Sequence, residues 1–220
     1  MDRDDLVADI ERAIGVLETT YRTSADESDL YEISLFVLCV DAAKSAGGTV
    51  MLTQDGRSPA SELRFRRSPG NLWSVGFTYA LVSFPGTQKQ LEIHGGVYVA
   101  SGTSRVPHEC DVAIIDRQEA ERSRLGTVYP RSRGLVAVIE AKHYATSPPL
   151  GVGRGFLGLA QEFGQKSCSL VFPAQSSGNL AALIAKRASE AYEELLPGRD
   201  AAARLRSRLD QAIRNWKASM

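Results

Sequence analysis

Apolar residues recur along the chain with two periods, one typical of helices and one typical of strands. Residues 5–21 carry apolar side chains every three or four positions, which predicts an amphipathic first helix. A second helix is predicted up to about Ala46, with Ser28 or Asp29 as its N-terminal cap. It is apolar on nearly every face, as buried helices are. Later helices are predicted over three ranges: 151–163, 179–196 and 200–216.

Short segments of β-branched and aromatic residues between turn residues predict strands. In chain order the candidates are residues 50–52, 63–66, 77–84, 91–100, 107–115, 136–142 and 169–172. This order of elements predicts an α/β or α+β fold, with a mixed β-sheet flanked by helices. We expect a single domain over residues 1–220, with N-terminal helices in 1–47, the sheet core in 48–175 and C-terminal helices in 176–220.

The predicted strand at 136–142 ends in polar residues that a covered strand seldom carries. Glu140 and Lys142 are two residues apart, and on a strand that spacing places both side chains on one face. Acidic and basic side chains are rarely buried unless they are paired or functional. Asp111 stands near the start of the preceding apolar strand, with Glu109 on the same face. If the two strands are antiparallel neighbours, their carboxylates meet.

Two carboxylates beside an ammonium group suit metal-assisted hydrolysis of a phosphodiester. Mg²⁺ prefers oxygen ligands and commonly takes one or two carboxylates together with substrate phosphate and water. Asp111 and Glu140 are therefore predicted to bind Mg²⁺, or Mn²⁺ in its place. Lys142 is predicted to orient the attacking water or to stabilise the charge that develops on the phosphoryl group. A surface ion pair between Glu140 and Lys142 is the alternative interpretation of the same spacing.

An Asp on one strand followed by Glu-x-Lys at the end of the next resembles the PD-(D/E)XK nuclease superfamily. The resemblance covers the middle and C-terminal half of the chain, where a helix, a strand and a helix follow Lys142. It implies a restriction-endonuclease-like fold and Mg²⁺-dependent cleavage of DNA more than RNA, in restriction, repair or phage defence. The chain departs from the pattern at the Pro-Asp pair, because Cys110 directly precedes Asp111 and Pro107 lies further upstream.

The resemblance suggests further candidates at this site. Members of the superfamily often add an acid from the N-terminal helix, and Glu32 takes that position as a metal ligand or as a first-turn acid stabilised by the helix dipole. Glu109 is an alternative ligand or an exposed acid at the strand start. Gln161, beside Glu162, occupies a helix position where some members place a supporting glutamine, although an exposed helix face is the alternative.

Other types of site are not indicated by the sequence. The histidines and cysteines lack zinc-binding spacing, and the cysteines fall in apolar segments typical of buried thiols. A Gly-x-Ser-x-Gly motif of a serine hydrolase is absent. His143 would point away from the face of Lys142 and is predicted to be a strand-end residue rather than a catalytic base.

Charge and composition limit the choice of partners. The chain has 26 basic and 26 acidic side chains, so it lacks the overall positive charge of many nucleic-acid-binding proteins. Arginines cluster in residues 57–67 and 117–133, where they would contact phosphates unless Glu119 and Glu121 neutralise the second stretch. The acidic N-terminus has no secretory signal, and no apolar run reaches membrane-spanning length. We expect a cytoplasmic protein that binds nucleic acid, with a homodimer or a partner protein as further options.

A second hypothesis belongs to a different class: a module with the nuclease fold that binds nucleic acid or protein without cutting. Such a module would have no physical reason to retain Asp111, Glu140 and Lys142 together, which favours cleavage. A small-molecule enzyme of unrelated fold would require a pocket signature that the sequence does not contain.

Overall fold

The computed structural model describes residues 3–164, 168–185, 190–196 and 198–219. Its helices are α1 (Arg3–Ile14), α2 (Thr19–Ser24), α3 (Glu27–Ser45), α4 (Arg117–Gly126), α5 (Leu150–Phe163), α6 (Gly178–Ala185) and α7 (Asp200–Ala218), with a 3-10 turn at Ser132–Gly134. Its strands are β1 (Thr49–Thr53), β2 (Tyr79–Ser83), β3 (Gln90–Ala100), β4 (Pro107–Asp116), β5 (Leu135–Ala141), β6 (Cys168–Val171) and β7 (Glu190–Tyr192). None of the described helices has the length and apolar character needed to cross a membrane.

The described strands form one sheet whose spatial order follows their order along the chain. Neighbours from β1 to β5 are antiparallel, whereas β5, β6 and β7 are parallel to one another. Parallel neighbours need a crossover connection, and helices α5 and α6 lie in the two crossovers. The prediction of a mixed sheet in an α+β fold is confirmed.

Helix α3 is the central element on one face of the sheet. The Asp26 carboxylate caps its first turn by accepting a hydrogen bond from the Asp29 N–H at 2.9 Å, and the Asp29 carboxylate accepts one from the Asp26 N–H at 3.1 Å. α3 contacts α1 and α7 as well as strands β1, β3, β4 and β5. Leu30 and Phe36 are fully buried in this first hydrophobic cluster. The helix is apolar all round because neighbours cover it on several sides.

Helices α4 and α5 cover the opposite face, where a second hydrophobic cluster forms. Phe156 and Ala160 of α5 pack in this cluster together with Val138 of β5. The neighbours of Val138 in the strand, Ala137 and Ile139, pack in the first cluster. Because successive strand residues point to opposite faces, β5 is apolar without alternation and is covered on both sides.

The N-terminal region is divided more finely than the sequence predicts. The first predicted helix covers two elements, because Gly15 adopts φ +111° directly after the last residue of α1. Asp26, rather than Ser28 or Asp29, is the cap of α3. Asp29 instead takes the third helical position, where its carboxylate completes the capping box.

The strand predicted over residues 63–66 is absent, and the helix predicted over 179–196 is wrong over part of its length. Residues 63–66 form no strand, since Leu63 makes only an isolated bridge to Leu17. The helix predicted over 179–196 is described only to Ala185, and strand β7 then pairs with β6. A three-residue strand is too short to display a period. The connection between β4 and β5 contains helix α4, which is not among the predicted helices.

The ladder between β3 and β4 is interrupted where Gly96 faces Asp111. The ladder continues in the same register on both sides of this position, with the pairs Gly95–Val112 and Val97–Cys110. Gly96 has φ +57°, a left-handed conformation that other residues seldom adopt. The two residues flanking Asp111 pack in different hydrophobic clusters, so the alternation of the strand reverses there. This irregularity sets the position of the Asp111 side chain.

Substitution of Gly96 by alanine tests this backbone conformation. A Cβ at Gly96 would be in the left-handed region and 3.3 Å from the Cβ of Arg66. We therefore expect Gly96→Ala to lower the free energy of unfolding by about 1–2 kcal/mol. Gly158→Ala, at an open position within α5, should raise it by about 0.5–1 kcal/mol. Urea unfolding followed by circular dichroism measures both, and a stabilising effect at Gly96 would contradict the expectation.

Candidate active site

Strands β4 and β5 bring Asp111 and Glu140 side by side. The ladder pairs Val112 with Ile139, so the next position along the two strands is occupied by Asp111 and Glu140. The Asp111 carboxylate accepts a hydrogen bond from the Ala141 N–H at 2.6 Å, and the residue is only 5% exposed. The predicted antiparallel pairing of the two acidic strands is confirmed.

Lys142 directly follows β5 and is paired with Glu140. Its Nζ lies 2.8 Å from the Glu140 carboxylate, and its backbone N–H donates to the Val171 carbonyl at 2.9 Å. Burial lowers the pKa of Lys142, but the carboxylates of Glu140, Asp111 and Glu109 outweigh burial and raise it above its ordinary value. Lys142 is therefore a charged ammonium group that faces several acids.

Glu32 reaches the same acids from helix α3. Burial raises the pKa of Glu32 to about 8, with further contributions from the charges of Asp111, Asp29 and Glu109, while Lys142 lowers it. Such charge effects require that these groups lie near one another. Glu32 therefore joins Glu109, Asp111 and Glu140, and these four residues are called the acidic cluster below.

The acidic cluster holds more negative charge than its surroundings balance. Burial raises the pKa of Asp111 to about 7, and repulsion from Glu140 adds to the shift, whereas Lys142 and the Ala141 N–H oppose it. Burial and the charge of Glu140 also raise the pKa of Glu109. Lys142 is the cation that lowers the pKa values of all three shifted acids. The cluster is thus electrostatically suited to bind a further positive charge.

A divalent cation fits this requirement. A cation between Asp111 and Glu140 would offset the repulsion that raises the Asp111 pKa. Within the described ranges, no three His, Cys, Asp or Glu side chains are already grouped as metal ligands. Glu140 is instead paired with Lys142, and Asp111 with the Ala141 N–H. Because Mg²⁺ often takes only one or two protein carboxylates beside phosphate and water, Asp111 and Glu140 fit such a site.

Other sequence-predicted participants have contacts of a different kind. Gln161 is exposed on α5, and its supporting role stays a prediction. The carboxylate of its neighbour Glu162 accepts hydrogen bonds from the Ser101 and Ser104 hydroxyls, which joins α5 to the β3–β4 connection. The His143 ring lies 5.4 Å from that of Tyr31, which supports a packing role.

The predicted arginine clusters are largely neutralised by acids. The ion pairs are Arg64–Glu18, Arg67–Asp29, Arg117–Glu121, Arg122–Glu119, Arg124–Glu92 and Arg131–Glu119. Glu119 forms ion pairs with two arginines and accepts hydrogen bonds from them. These contacts lower the pKa of Glu119 to about 2, even though burial opposes the shift. The alternative in which acids balance the 117–133 segment is therefore correct for most of its arginines. A broad basic surface does not form there.

Sequence interpretation missed a second group of buried polar residues. Glu92 is fully buried, forms an ion pair with Arg124, and lies 2.8 Å from the Nε2 of His94. Glu92 and His94 are two residues apart in an apolar strand, the same signal that singled out Glu140 and Lys142. Arg124 lies on a separate helix, so its partnership with Glu92 is not visible in the sequence.

Comparisons of the chain with protein-family models, curated proteins and solved structures found no match. The acidic cluster and the motif that carries it are therefore the features of the chain that bear on its function.

The raised pKa values predict how stability changes with pH. Asp111 and Glu32 have ordinary pKa values of 3.8 and 4.5, which the fold raises to about 7 and about 8. As the pH rises, the unfolded chain therefore loses these protons at a lower pH than the folded chain does. The stability that the raised pKa values contribute at low pH is lost as the pH rises through about 4 to 8. In EDTA, we expect the free energy of unfolding to fall between pH 5 and pH 8. In the double variant Asp111→Asn, Glu32→Gln, this decrease should be smaller.

Glu162→Gln is the matched control for this measurement. Hydrogen bonds from Ser101 and Ser104 lower the pKa of Glu162, so its charge contributes to stability throughout the range from pH 5 to pH 8. The substitution should change the stability by a similar amount at both pH values. Urea unfolding at pH 5 and pH 8 makes the comparison, and an unchanged slope in the Asp111 and Glu32 double variant would contradict the expected linkage.

Proposed function

We propose that this protein is a metal-dependent nuclease of the PD-(D/E)XK type that hydrolyses phosphodiester bonds, with DNA the preferred substrate over RNA. The observation that carries the proposal is the meeting of Asp111 and Glu140 on adjacent antiparallel strands, with the Lys142 ammonium 2.8 Å from Glu140. The excess of buried negative charge supports a cation at this point. The preference for DNA rests on the family resemblance alone.

The order of the elements also supports a restriction-endonuclease-like fold. The resemblance implies a helix, a three-stranded antiparallel unit that bears the acids, a second helix and a further strand beside the sheet. Helix α3, strands β3 to β5, helix α5 and strand β6 follow this order, and β6 is parallel to β5. Strands β1 and β2 extend the sheet at one edge, and β7 extends it at the other.

Each residue of the site has a distinct role in this proposal. Asp111 and Glu140 would hold Mg²⁺ or Mn²⁺, which when bound supplies a Lewis acid that polarises the phosphoryl oxygen and acidifies water. Glu32 would add a carboxylate from α3 or accept a proton, since its raised pKa lies near neutrality. Lys142 would donate a hydrogen bond to the attacking water or to the phosphoryl oxygen once Glu140 binds the cation.

A binding module without cleavage activity is the second candidate. The neutralised arginine clusters favour a module that binds protein, because binding to nucleic acid usually needs unpaired basic groups along the phosphate backbone. The two candidates differ in whether the acidic cluster binds a metal ion. The experiment below therefore measures metal binding and cleavage separately.

Glu140→Ala and Lys142→Ala should have different phenotypes. Loss of the Glu140 carboxylate removes a metal ligand, so we expect Mg²⁺ or Mn²⁺ binding to weaken by more than tenfold and cleavage to be abolished. Loss of the Lys142 ammonium should leave metal binding largely intact while cleavage falls by roughly a hundredfold or more. Isothermal titration with Mn²⁺ measures binding, and gel analysis of plasmid, linear and single-stranded DNA and of RNA measures cleavage.

Asp41→Ala and Lys44→Ala provide matched controls. These residues form an exposed ion pair at 3.8 Å near the C-terminal end of α3, so the same two losses of charge occur at a different part of the protein. Both control variants should bind Mn²⁺ and cleave as the unaltered protein does, and thermal melts establish that all four variants fold. Metal binding that is the same in Glu140→Ala and in the unaltered protein would refute the site. A wild-type protein that neither binds Mn²⁺ nor cleaves any of these substrates in its presence would favour the binding module.

A further inference from the structure

A cavity of about 610 Å³ lies beside the N-terminal half of β3, and neither the proposed catalysis nor the acidic cluster uses it. Its volume falls within the range of about 300–1,000 Å³ that small-molecule sites usually have. Residues from three regions line it: Arg66, Trp73, Phe77, Tyr79, His94 and Arg124. Cationic, aromatic and imidazole groups therefore meet at one cavity.

Arg66 is a buried cation in the cavity wall without a carboxylate partner. It is 8% exposed, and within the described part of the chain no acid lies at ion-pairing distance from it. Its Nη2 donates to the Asn71 carbonyl at 3.0 Å, while its buried Nε has no hydrogen-bond partner in the same residues. A buried guanidinium group that leaves a donor unpaired is costly, and a bound anion would offset this cost.

His94 and Arg124 form a second part of the wall, which Glu92 holds in place. Glu92 forms an ion pair with Arg124, and the Nε2 of His94 lies 2.8 Å from the same carboxylate. Burial outweighs the Glu92 charge and lowers the pKa of His94, so the imidazole is neutral and carries its proton on Nε2. Its Nδ1 is then an acceptor, and it has no donor among the described residues.

Aromatic rings complete the wall. Tyr79 stacks on His94 with ring centroids 4.8 Å apart, and the Arg66 guanidinium lies 4.5 Å from the centre of the Phe77 ring. Trp73 and Phe77 are only partly buried. Partly exposed aromatic faces beside a cation can stack with a planar ligand.

We propose that this cavity binds a nucleotide, with its phosphate on Arg66 and its base against Trp73 and Phe77. A nucleotide combines an anion for Arg66, a planar ring for Trp73 and Phe77, and hydroxyl or amino donors for the unpaired Nδ1 of His94. Asp55 also lines the cavity, but its carboxylate accepts hydrogen bonds from the Arg57 and Ser58 N–H groups of its own turn. The Asp55 carboxylate therefore lies at the exposed side of the cavity and forms no ion pair with Arg66.

None of the four residues of the acidic cluster lines the cavity, which is formed by residues between Gln54 and Tyr79 together with His94 and Arg124. The acids come instead from β4, β5 and α3. The nucleotide site is therefore separate from the proposed catalytic site. It can be tested in EDTA, so its failure and the failure of the nuclease proposal are independent results.

The fluorescence of Trp73 provides a direct measurement. The chain has two tryptophans, and Trp216 packs against Phe84 away from the cavity wall. In the full-length Trp216→Phe variant with EDTA, we expect AMP to change Trp73 emission saturably. Adenosine and inorganic phosphate should each bind at least roughly tenfold more weakly, because each lacks half of the recognition. Equal binding of adenosine, or equal binding of phosphate, would overturn the nucleotide assignment.

Substitutions at an exposed position of the cavity wall test whether the ligand is an anion, without changing the buried core. Val75 lines the cavity and is 88% exposed, so charged residues should be tolerated there. Val75→Asp should weaken AMP binding and Val75→Lys should strengthen it, each by roughly two- to fivefold. Val106→Asp, at an exposed position that does not line the cavity, is the matched control and should change nothing. Equal effects of the two Val75 variants would refute a bound anion.

Arg66→Lys tests the guanidinium group itself. The substitution keeps the charge but removes the planar pair of donors, so AMP affinity should fall by roughly tenfold if a phosphate is bound in bidentate fashion. A thermal melt shows whether the variant folds, and the Val75 pair decides the question if it does not.

A 5′-phosphorylated octanucleotide in EDTA identifies the source of the ligand. Tighter binding than AMP indicates a nucleotide within a strand, and weaker binding indicates a free nucleotide, whereas binding of neither would reject the site.

Discussion

The pairing of β4 with β5 is the constraint on which the candidate site depends. Backbone hydrogen bonds and the buried side chains of Val112 and Ile139 fix the register of these strands, and the next position then holds Asp111 beside Glu140. Burial and the resulting repulsion from Glu140 raise the Asp111 pKa, and the Ala141 N–H and the Lys142 ammonium offset only part of this shift. Packing of the sheet thus maintains a charge arrangement that the carboxylates alone would disfavour, a common property of functional sites.

Two buried carboxylates in the same sheet show how neighbouring groups decide the direction of a pKa shift. Glu92 is fully buried, yet its pKa is lowered, because the hydrogen bond from His94 and the hydrogen bonds and charge of Arg124 outweigh the effect of burial. Asp111 is slightly more exposed, but its pKa is raised because burial and Glu140 outweigh Lys142. The first carboxylate is balanced within the protein. The second is not, which is why its cluster, rather than Glu92, is the candidate for binding a cation.

Sequence patterns predicted the parts of the structure that depend on local periodicity. The amphipathic α7, the buried α3 and the strand with Glu140 were predictable because burial selects apolar residues at regular positions. The three-residue strand β7 was not, because its pairing depends on β6 and leaves no period of its own. Two-residue spacing identified Glu140 and Lys142, but the contact of Asp111 with the Ala141 N–H depends on the register and on the interruption at Gly96, which are tertiary features.

The distribution of charge also limits how the proposed nuclease could hold its substrate. Most arginines of the 117–133 segment are paired with acids, so few counterions would be released from a nucleic acid that contacts this region. The acidic cluster itself repels phosphate until a cation is bound. Attraction of the substrate to Asp111 and Glu140 therefore depends on the metal ion, which would act both as the bridge to the phosphate and as the source of activation. In the proposed nuclease, substrate binding would therefore be coupled to metal binding at this site.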